Sequence, residues 1–164
     1  MSATVHSTST SLHIPRLSRF AWMMALYAEN HARLERLFAP ASLTVGSHVS
    51  TGRDGLDLHV EVIAHHPYTI ELRMAYPKLH GDGDAGVDPI AWVRHYADAR
   101  QAEVTHCHVG PRWQDVLGLR PALPVLVDHR ARMNVFFSKW LEYLRDQGHG
   151  RDTLRPVGDL AIVA

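Results

Sequence analysis

Four segments in the middle of the chain alternate apolar and polar residues, and this alternation restricts the possible folds more than any other feature. A two-residue period is typical of strands that bury one face. The links within the first and the second pair are short, so each pair is expected to form an antiparallel hairpin with its apolar set facing one layer. The segments are 56–64, 68–76, 90–97 and 101–109, and a further strand is predicted at 43–50.

Two segments with helical periodicity flank the strands. The first, 18–38, has apolar residues at helical spacing and can be capped by Ser18; the second, 128–147, has Asp128 as a candidate N-cap and Gly148 as a candidate C-terminal residue. We therefore predict an α+β fold, in which an antiparallel β-meander of about five strands is packed on one face by an N-terminal and a C-terminal amphipathic helix.

The length of 164 residues fits one domain with a single core. Residues 1–14 are rich in Ser and Thr and are expected to form a flexible tail, 15–150 the single α+β domain, and 151–164 a C-terminal tail. Residues 77–89 form a Gly/Asp loop that lacks the oxygen ligands of an EF-hand, and 110–127 is broken by prolines and is expected to be a long connection.

Composition excludes several classes of function. Lys plus Arg and Asp plus Glu are each 17, which argues against a nucleic-acid partner. No stretch approaches the ~18 apolar residues of a membrane span, and the first residues contain no apolar run long enough for a signal peptide, so no membrane partner is expected. The single cysteine, Cys107, suggests a reducing compartment, and a cytoplasmic location is expected. The P-loop and dinucleotide fingerprints are missing, and no cofactor is expected.

The hairpin formed by the last two of the four alternating segments carries the best cluster of polar side chains. If Ala99 and Arg100 are the centre of its turn, one face combines a guanidinium, a phenol and two carboxylates. Such a face could bind a carboxylate or phosphate and supply a general acid or base, for which Asp98 and Glu103 are the candidates; it could equally be a cross-strand ladder of salt bridges. The assumed register pairs Asp98 with Gln101, Tyr96 with Glu103 and Arg94 with Thr105.

Polar residues on the two helices could contribute to the same site. Arg130 and Asn134 are one helical turn apart beside the apolar stripe, and they could reach a strand face or simply bond to strand ends. Asn30 and His31 interrupt the apolar face of the first helix. They are expected either to bond to neighbouring backbone or to line a pocket.

The opposite face of the hairpin holds histidines, of which the chain has 13. His106 and His108 are alternate strand residues and His95 is a diagonal neighbour, so the three are compatible with a metal, but the sequence fixes no further ligand. We therefore expect no metal site here. The same alternation puts Cys107 on the Arg94 face.

The chain resembles the YqiB-like family (DUF1249), small bacterial proteins of unknown function. The resemblance covers about residues 25–148 and is densest over the hairpin, where the family reads V-R-x-Y-x-D-A-x-x-A-E-V. It supports the fold and implies no activity, substrate or cofactor. Where the family has D-E-K at the start of the last helix, this chain has Asp128-His129-Arg130. The matching residues are Glu29-Asn30, Leu34, Arg36, Leu37, Pro67-Tyr68-Thr69, Val93-Arg94, Tyr96, Asp98-Ala99, Ala102-Glu103-Val104, Asp128, Asn134, Phe136, Trp140 and Leu141.

Two functions are compatible with these observations. The first is a non-catalytic binding or regulatory module for a small molecule or a protein, using the Arg94 face or the 110–127 connection with Trp113. The alternative is a small hydrolase-like enzyme acting on an anionic metabolite, with Arg94 as anchor and Glu103 or Asp98 as base. The predicted ligand-binding residues are Arg94, Tyr96, Asp98, Glu103, Arg130 and Asn134.

Overall fold

The computed structural model describes residues 18–76, 90–108 and 123–158. The predicted N-terminal tail, the Gly/Asp loop and the part of the connection that contains Trp113 lie outside these residues.

The described strands form one antiparallel sheet, as the alternating segments predict. Its order is β5-β4-β3-β2-β1-β6, so the first five strands follow one another as a meander. This confirms the α+β class, with six strands where about five are predicted. The strands are β1 Gly46–Thr51, β2 Asp57–His65, β3 Thr69–Ala75, β4 Ile90–Tyr96, β5 Gln101–His108 and β6 Leu154–Pro156.

The sixth strand, β6, lies within the segment 151–164 that the sequence pattern assigns to a tail. It pairs with β1 through the main chain, and Val157 N donates to Ser47 O at 2.8 Å just beyond it. A strand of three residues has no room for a visible alternation, and its main-chain hydrogen bonds do not depend on apolar side chains.

Within the described residues, two α-helices cover one face of the sheet. The first, α1, spans Arg19–Phe38, and the Ser18 hydroxyl accepts from Ala21 N at 3.1 Å, as predicted for its N-cap. The second, α2, spans Leu123–Asp146 and thus includes Asp128, which is predicted as its cap. Instead, the Asp128 carboxylate pairs with Arg19 on α1.

The described part of α2 begins at Leu123, before the predicted start at residue 128, and it includes Pro124. Proline is tolerated in the first turn of a helix, where the N–H groups have no partner within the helix. The helix ends as predicted: Gly148 has φ +83°, and His149 N donates back to Leu144 O at 3.0 Å. A left-handed residue with this bond is a common C-terminal cap.

The core lies between the helices and one face of the sheet. Most of the alternate residues of β2 and β3 that are predicted to face inward are buried, and the predicted apolar stripe of α2 packs against them. Two residues at the turn between these strands differ, because Ala64 is half-buried and Tyr68 is exposed. Both helices contact each other and β5, so they lie toward that edge of the sheet. The most deeply buried side chains include Leu34, Phe38, Leu58, Val60, Leu72, Met74, Phe137, Leu141 and Leu144.

The β4–β5 hairpin forms where predicted, but its register differs by two residues. Tyr96 pairs with Gln101, and Arg94 pairs directly with Glu103. The turn contains four residues, 97–100, rather than being centred on two, and Arg100 adopts a left-handed φ of 52°. A slip of two residues preserves the faces, so the polar and apolar sides of the hairpin near the turn are as predicted.

A bulge at Thr105 changes the faces further along β5. Val104 pairs with Val93 but His106 pairs with Trp92, so one extra residue is inserted in β5. Beyond the bulge, Cys107 pairs with the buried Ala91 and packs against the core. The prediction that Cys107 lies on the Arg94 face is therefore wrong.

Candidate functional site

The polar face of the hairpin and the first half of α2 enclose a cavity of about 240 Å³. We call it the Arg94 cavity. Two guanidinium groups reach it from different elements, Arg94 from β4 and Arg130 from α2, and the side chains of both are about half exposed. Its polar lining consists of Arg94, Glu103, Thr105, His106, His129 and Arg130.

Glu103 is the carboxylate of this lining, and phenols surround it. Tyr96 Oη donates to Glu103 Oε1 at 2.8 Å, and the Tyr27 phenol on α1 interacts electrostatically with the same carboxylate. Burial, aided by Glu103, raises the pKa of Tyr27 to about 12 and also raises the pKa of Tyr96, so both phenols stay protonated and donate at neutral pH. Glu103 Oε2 lies 3.8 Å from Arg130 Nη1. The Glu103 charge is thus held by groups on three elements.

Arg94 also belongs to a ladder of charges across the outer face of the sheet. Its Nε lies 3.4 Å from Oε1 of Glu71, the residue opposite it on β3. The neighbouring pair on β3 and β2 is similar, with Arg73 Nε 3.0 Å from Glu61 Oε2. The ladder and the cavity are therefore not alternatives, because Arg94 lies where the ladder meets the cavity.

Asn134 fixes the helix beside the cavity. It is fully buried, and its Oδ1 accepts from Val104 N at 2.9 Å on the outer edge of β5. Its Nδ2 donates to Arg130 O at 2.9 Å and to Val104 O at 3.4 Å. Asn30 from α1 is also fully buried and donates to Asn134 O at 3.3 Å. These amides bond to backbone groups, which supports a positioning role for Asn134.

The last member of the predicted ligand-binding set lies elsewhere. Asp98 is exposed in the turn and does not line the Arg94 cavity. In the assumed register Asp98 would extend the ladder opposite Gln101, whereas the four-residue turn places it beyond the end of both strands. Of the two predicted acid or base candidates, only Glu103 lies in the cavity.

The predicted histidine set is divided by the bulge. His95 pairs with Ala102 and is fully buried on the core side, whereas His106 is exposed on the outer face opposite Trp92. The side chain of His108 lies outside the described residues. Instead, His95 meets two α1 residues, His31 and Glu35, and their possible ligand atoms lie within 4.8 Å of one another. The sequence signal for that set is the four-residue spacing of His31 and Glu35.

Comparison with known proteins identifies the family. A family model described as a protein of unknown function (DUF1249) matches residues 33–150, which is most of the chain. The chain belongs to the DUF1249 family. The match spans β1 to β5 and the whole of α2, so the Arg94 cavity lies within the DUF1249 region. Searches of curated proteins and of solved structures gave no match.

The helices were also compared with the requirements of a membrane span. Neither of the two described helices is long and apolar enough to cross a bilayer.

Proposed function

We propose that this DUF1249 protein is a non-catalytic binding module for a small anionic ligand with a carboxylate or phosphate group, held in the Arg94 cavity. One observation carries the proposal: two guanidinium groups from different elements line one cavity in which the Glu103 carboxylate is already engaged by phenols. Guanidinium groups bind carboxylates and phosphates through paired hydrogen bonds, and this geometry favours anions over other ligands.

The dimensions of the cavity limit the size of the ligand. Pockets for drug-sized ligands measure roughly 300–1,000 Å³, and the Arg94 cavity measures about 240 Å³. A phosphate or a short dicarboxylate fits this volume. Leu126 and Met133 provide an apolar part of the wall, suited to a ligand with a short hydrocarbon chain.

The same contacts favour binding over hydrolysis. A general base must have a free oxygen within reach of the proton that it removes. Glu103 Oε1 accepts from Tyr96, and Asp98 lies outside the cavity. The hydrolase-like alternative would therefore depend on Glu103 Oε2, which faces the Arg130 guanidinium.

The expected class of partner and the expected cellular location remain part of this proposal. The balanced charge favours a small molecule over a nucleic acid as the partner, and the single cysteine favours the cytoplasm.

A thermal-shift screen tests the proposal. The panel contains inorganic phosphate, citrate, malonate and succinate, each at several concentrations in a buffer of constant ionic strength. We expect at least one anion to raise the melting temperature of the wild-type chain and to lose this effect in Arg94→Ala, because a hydrogen bond to a charged group contributes about 1.5–3 kcal/mol.

Arg73→Ala is the matched control. Arg73 lies on the same outer face and pairs with a glutamate across the sheet, and its side chain is 48% exposed against 51% for Arg94, but it is not part of the cavity. Anion shifts that are equal in the two variants would contradict the proposal, as would a panel without any shift. Release of phosphate or cleavage of an ester substrate that is lost in Glu103→Gln would favour the hydrolase instead.

A further inference from the structure

A second polar cluster lies on the core side of β4, opposite the outer face that carries Arg94. It consists of His31 and Glu35 on α1 and of His95 on β4. Residues four apart on a helix share one face, so the two α1 side chains project together. His95 alternates with Arg94 along β4 and points to the core side of the sheet, where α1 packs.

His95 is an unusual core residue. It is fully buried, yet neither of its ring nitrogens has a hydrogen-bond partner among the described residues. Glu35 Oε1 lies 3.0 Å from His95 Nε2, but this contact does not have the geometry of a hydrogen bond. Buried polar atoms nearly always have a partner. The His95 ring is therefore buried with nitrogen atoms that make no hydrogen bond and could coordinate a metal ion.

The neighbouring side chains are already collected around that ring. The His31 ring is stacked on the His95 ring, with centroids 4.6 Å apart and planes inclined by 12°. The ligand atoms of all three residues lie within 4.8 Å of one another. Metal bonds of about 2.0–2.2 Å place tetrahedral neighbours roughly 3.4 Å apart, so the ligand atoms need to move closer by about an ångström. Because an imidazole nitrogen binds a metal in the plane of its ring, the partly exposed His31 ring would also have to tilt out of its stack on His95.

We propose that His31, Glu35 and His95 bind a divalent first-row transition metal, with Zn²⁺ as the best match. Two imidazole nitrogens and one carboxylate oxygen suit zinc, whereas calcium and magnesium require mainly oxygen ligands. The Glu35 carboxylate offsets part of the charge of the ion, and the Arg100 guanidinium, which acts electrostatically on His31, opposes it. His31 and Glu35 are partly exposed, which gives the ion a path to the buried His95.

The site is independent of the Arg94 cavity, and its test does not involve an anion. The full chain, purified without a histidine tag and treated with a chelator, is titrated with ZnCl₂ in a calorimeter, and its melting temperature is measured with and without zinc. We expect one zinc ion per chain. With zinc 100-fold above the dissociation constant, the melting temperature should rise by roughly 5–10 °C.

Three variants assign the ligands. His31→Ala and Glu35→Gln change partly exposed side chains and should fold, and each is expected to weaken zinc binding at least tenfold; His95→Gln replaces the buried ligand. The control is His59→Ala, which removes an exposed histidine from the outer face of β2. It should bind zinc like the wild type, although the chain has 13 histidines. Failure of the wild type to bind zinc would overturn the proposal, as would equal affinity in His31→Ala, Glu35→Gln and His59→Ala.

Discussion

Replacing Asn134 by leucine should destabilise the protein, because this side chain joins α2 to the edge of the sheet. Its amide serves both the N–H and the C=O of Val104, at 2.9 and 3.4 Å, and both residues are buried. Leucine occupies a similar volume but offers neither a donor nor an acceptor. A buried backbone group left without a partner costs about 1–3 kcal/mol.

In Asn134→Leu, the N–H of Val104 loses a short hydrogen bond and the C=O of Val104 loses a longer one. We therefore expect the free energy of unfolding to decrease by about 2–4 kcal/mol. For a domain of this length, this corresponds to a decrease in melting temperature of roughly 4–16 °C. Urea unfolding followed by circular dichroism measures the free energy, and calorimetry measures the melting temperature. The same replacement at the exposed Lys139 of α2 is the control, and there the change should stay within about 0.5 kcal/mol.

A result for Asn134→Leu within about 0.5 kcal/mol of the wild type would refute this reasoning. It would mean that the edge of β5 does not depend on the Asn134 amide, and that Asn134 does not hold the wall of the Arg94 cavity in place.

Two further predictions concern buried titratable groups. Burial lowers the pKa of His149, whose ring nitrogens lie 2.8 Å from Ser50 Oγ and 2.9 Å from Tyr76 Oη, so the unfolded chain takes up the proton more readily than the folded one. The contribution of neutral His149 to the free energy of unfolding should therefore be fully present above about pH 6.5 and be lost as the pH falls below that value. Urea titrations at pH 7.5 and 5.5 measure this change, and it should be smaller in His149→Gln than in the wild type. An equal change in the two proteins would contradict the prediction. Burial raises the pKa of Cys107 to about 11, so less of the reactive thiolate is present in the native protein. A thiol reagent at pH 7.5 should therefore modify the native protein roughly 100-fold more slowly than the urea-unfolded chain. Equal rates would contradict the packing of Cys107 against the core.

Periodicity in the sequence predicts the helices and the faces of the strands, because a strand buries every second side chain and a helix buries one stripe of side chains. The alternation of Leu58, Val60 and Val62 is confirmed by their burial, and the Ser18 cap marks the start of α1 correctly. These features are local, so the residues themselves carry the information.

Register and long-range pairing are not local, and there the sequence is insufficient. The four-residue turn at 97–100 and the bulge at Thr105 depend on main-chain geometry, and together they move Asp98 out of the site and Cys107 to the core face. β6 pairs with the edge of β1, and Leu154 packs against the core, but a strand of three residues shows no alternation that the sequence could reveal.

The two candidate sites differ in how far they could be predicted. Three of the six predicted ligand-binding residues line the Arg94 cavity, and two more hydrogen-bond to lining residues. These five could be predicted because they lie on one face of the hairpin and on one flank of a helix. The cluster of His31, Glu35 and His95 was not predicted. His31 and His95 each stand out in the sequence, but nothing local shows that packing of α1 on the sheet brings the two side chains together.

Anion binding by wild-type and Arg94→Ala protein, measured by isothermal titration calorimetry, tests the central claim most directly. The titrant is the anion of the panel that gives the largest thermal shift, and Arg73→Ala is measured in parallel. We expect about tenfold to 100-fold weaker binding in Arg94→Ala, because this variant loses a hydrogen bond between charged groups. In Arg73→Ala, the affinity should stay within about twofold of the wild type. Equal affinity in all three proteins would contradict the assignment of the Arg94 cavity as the binding site.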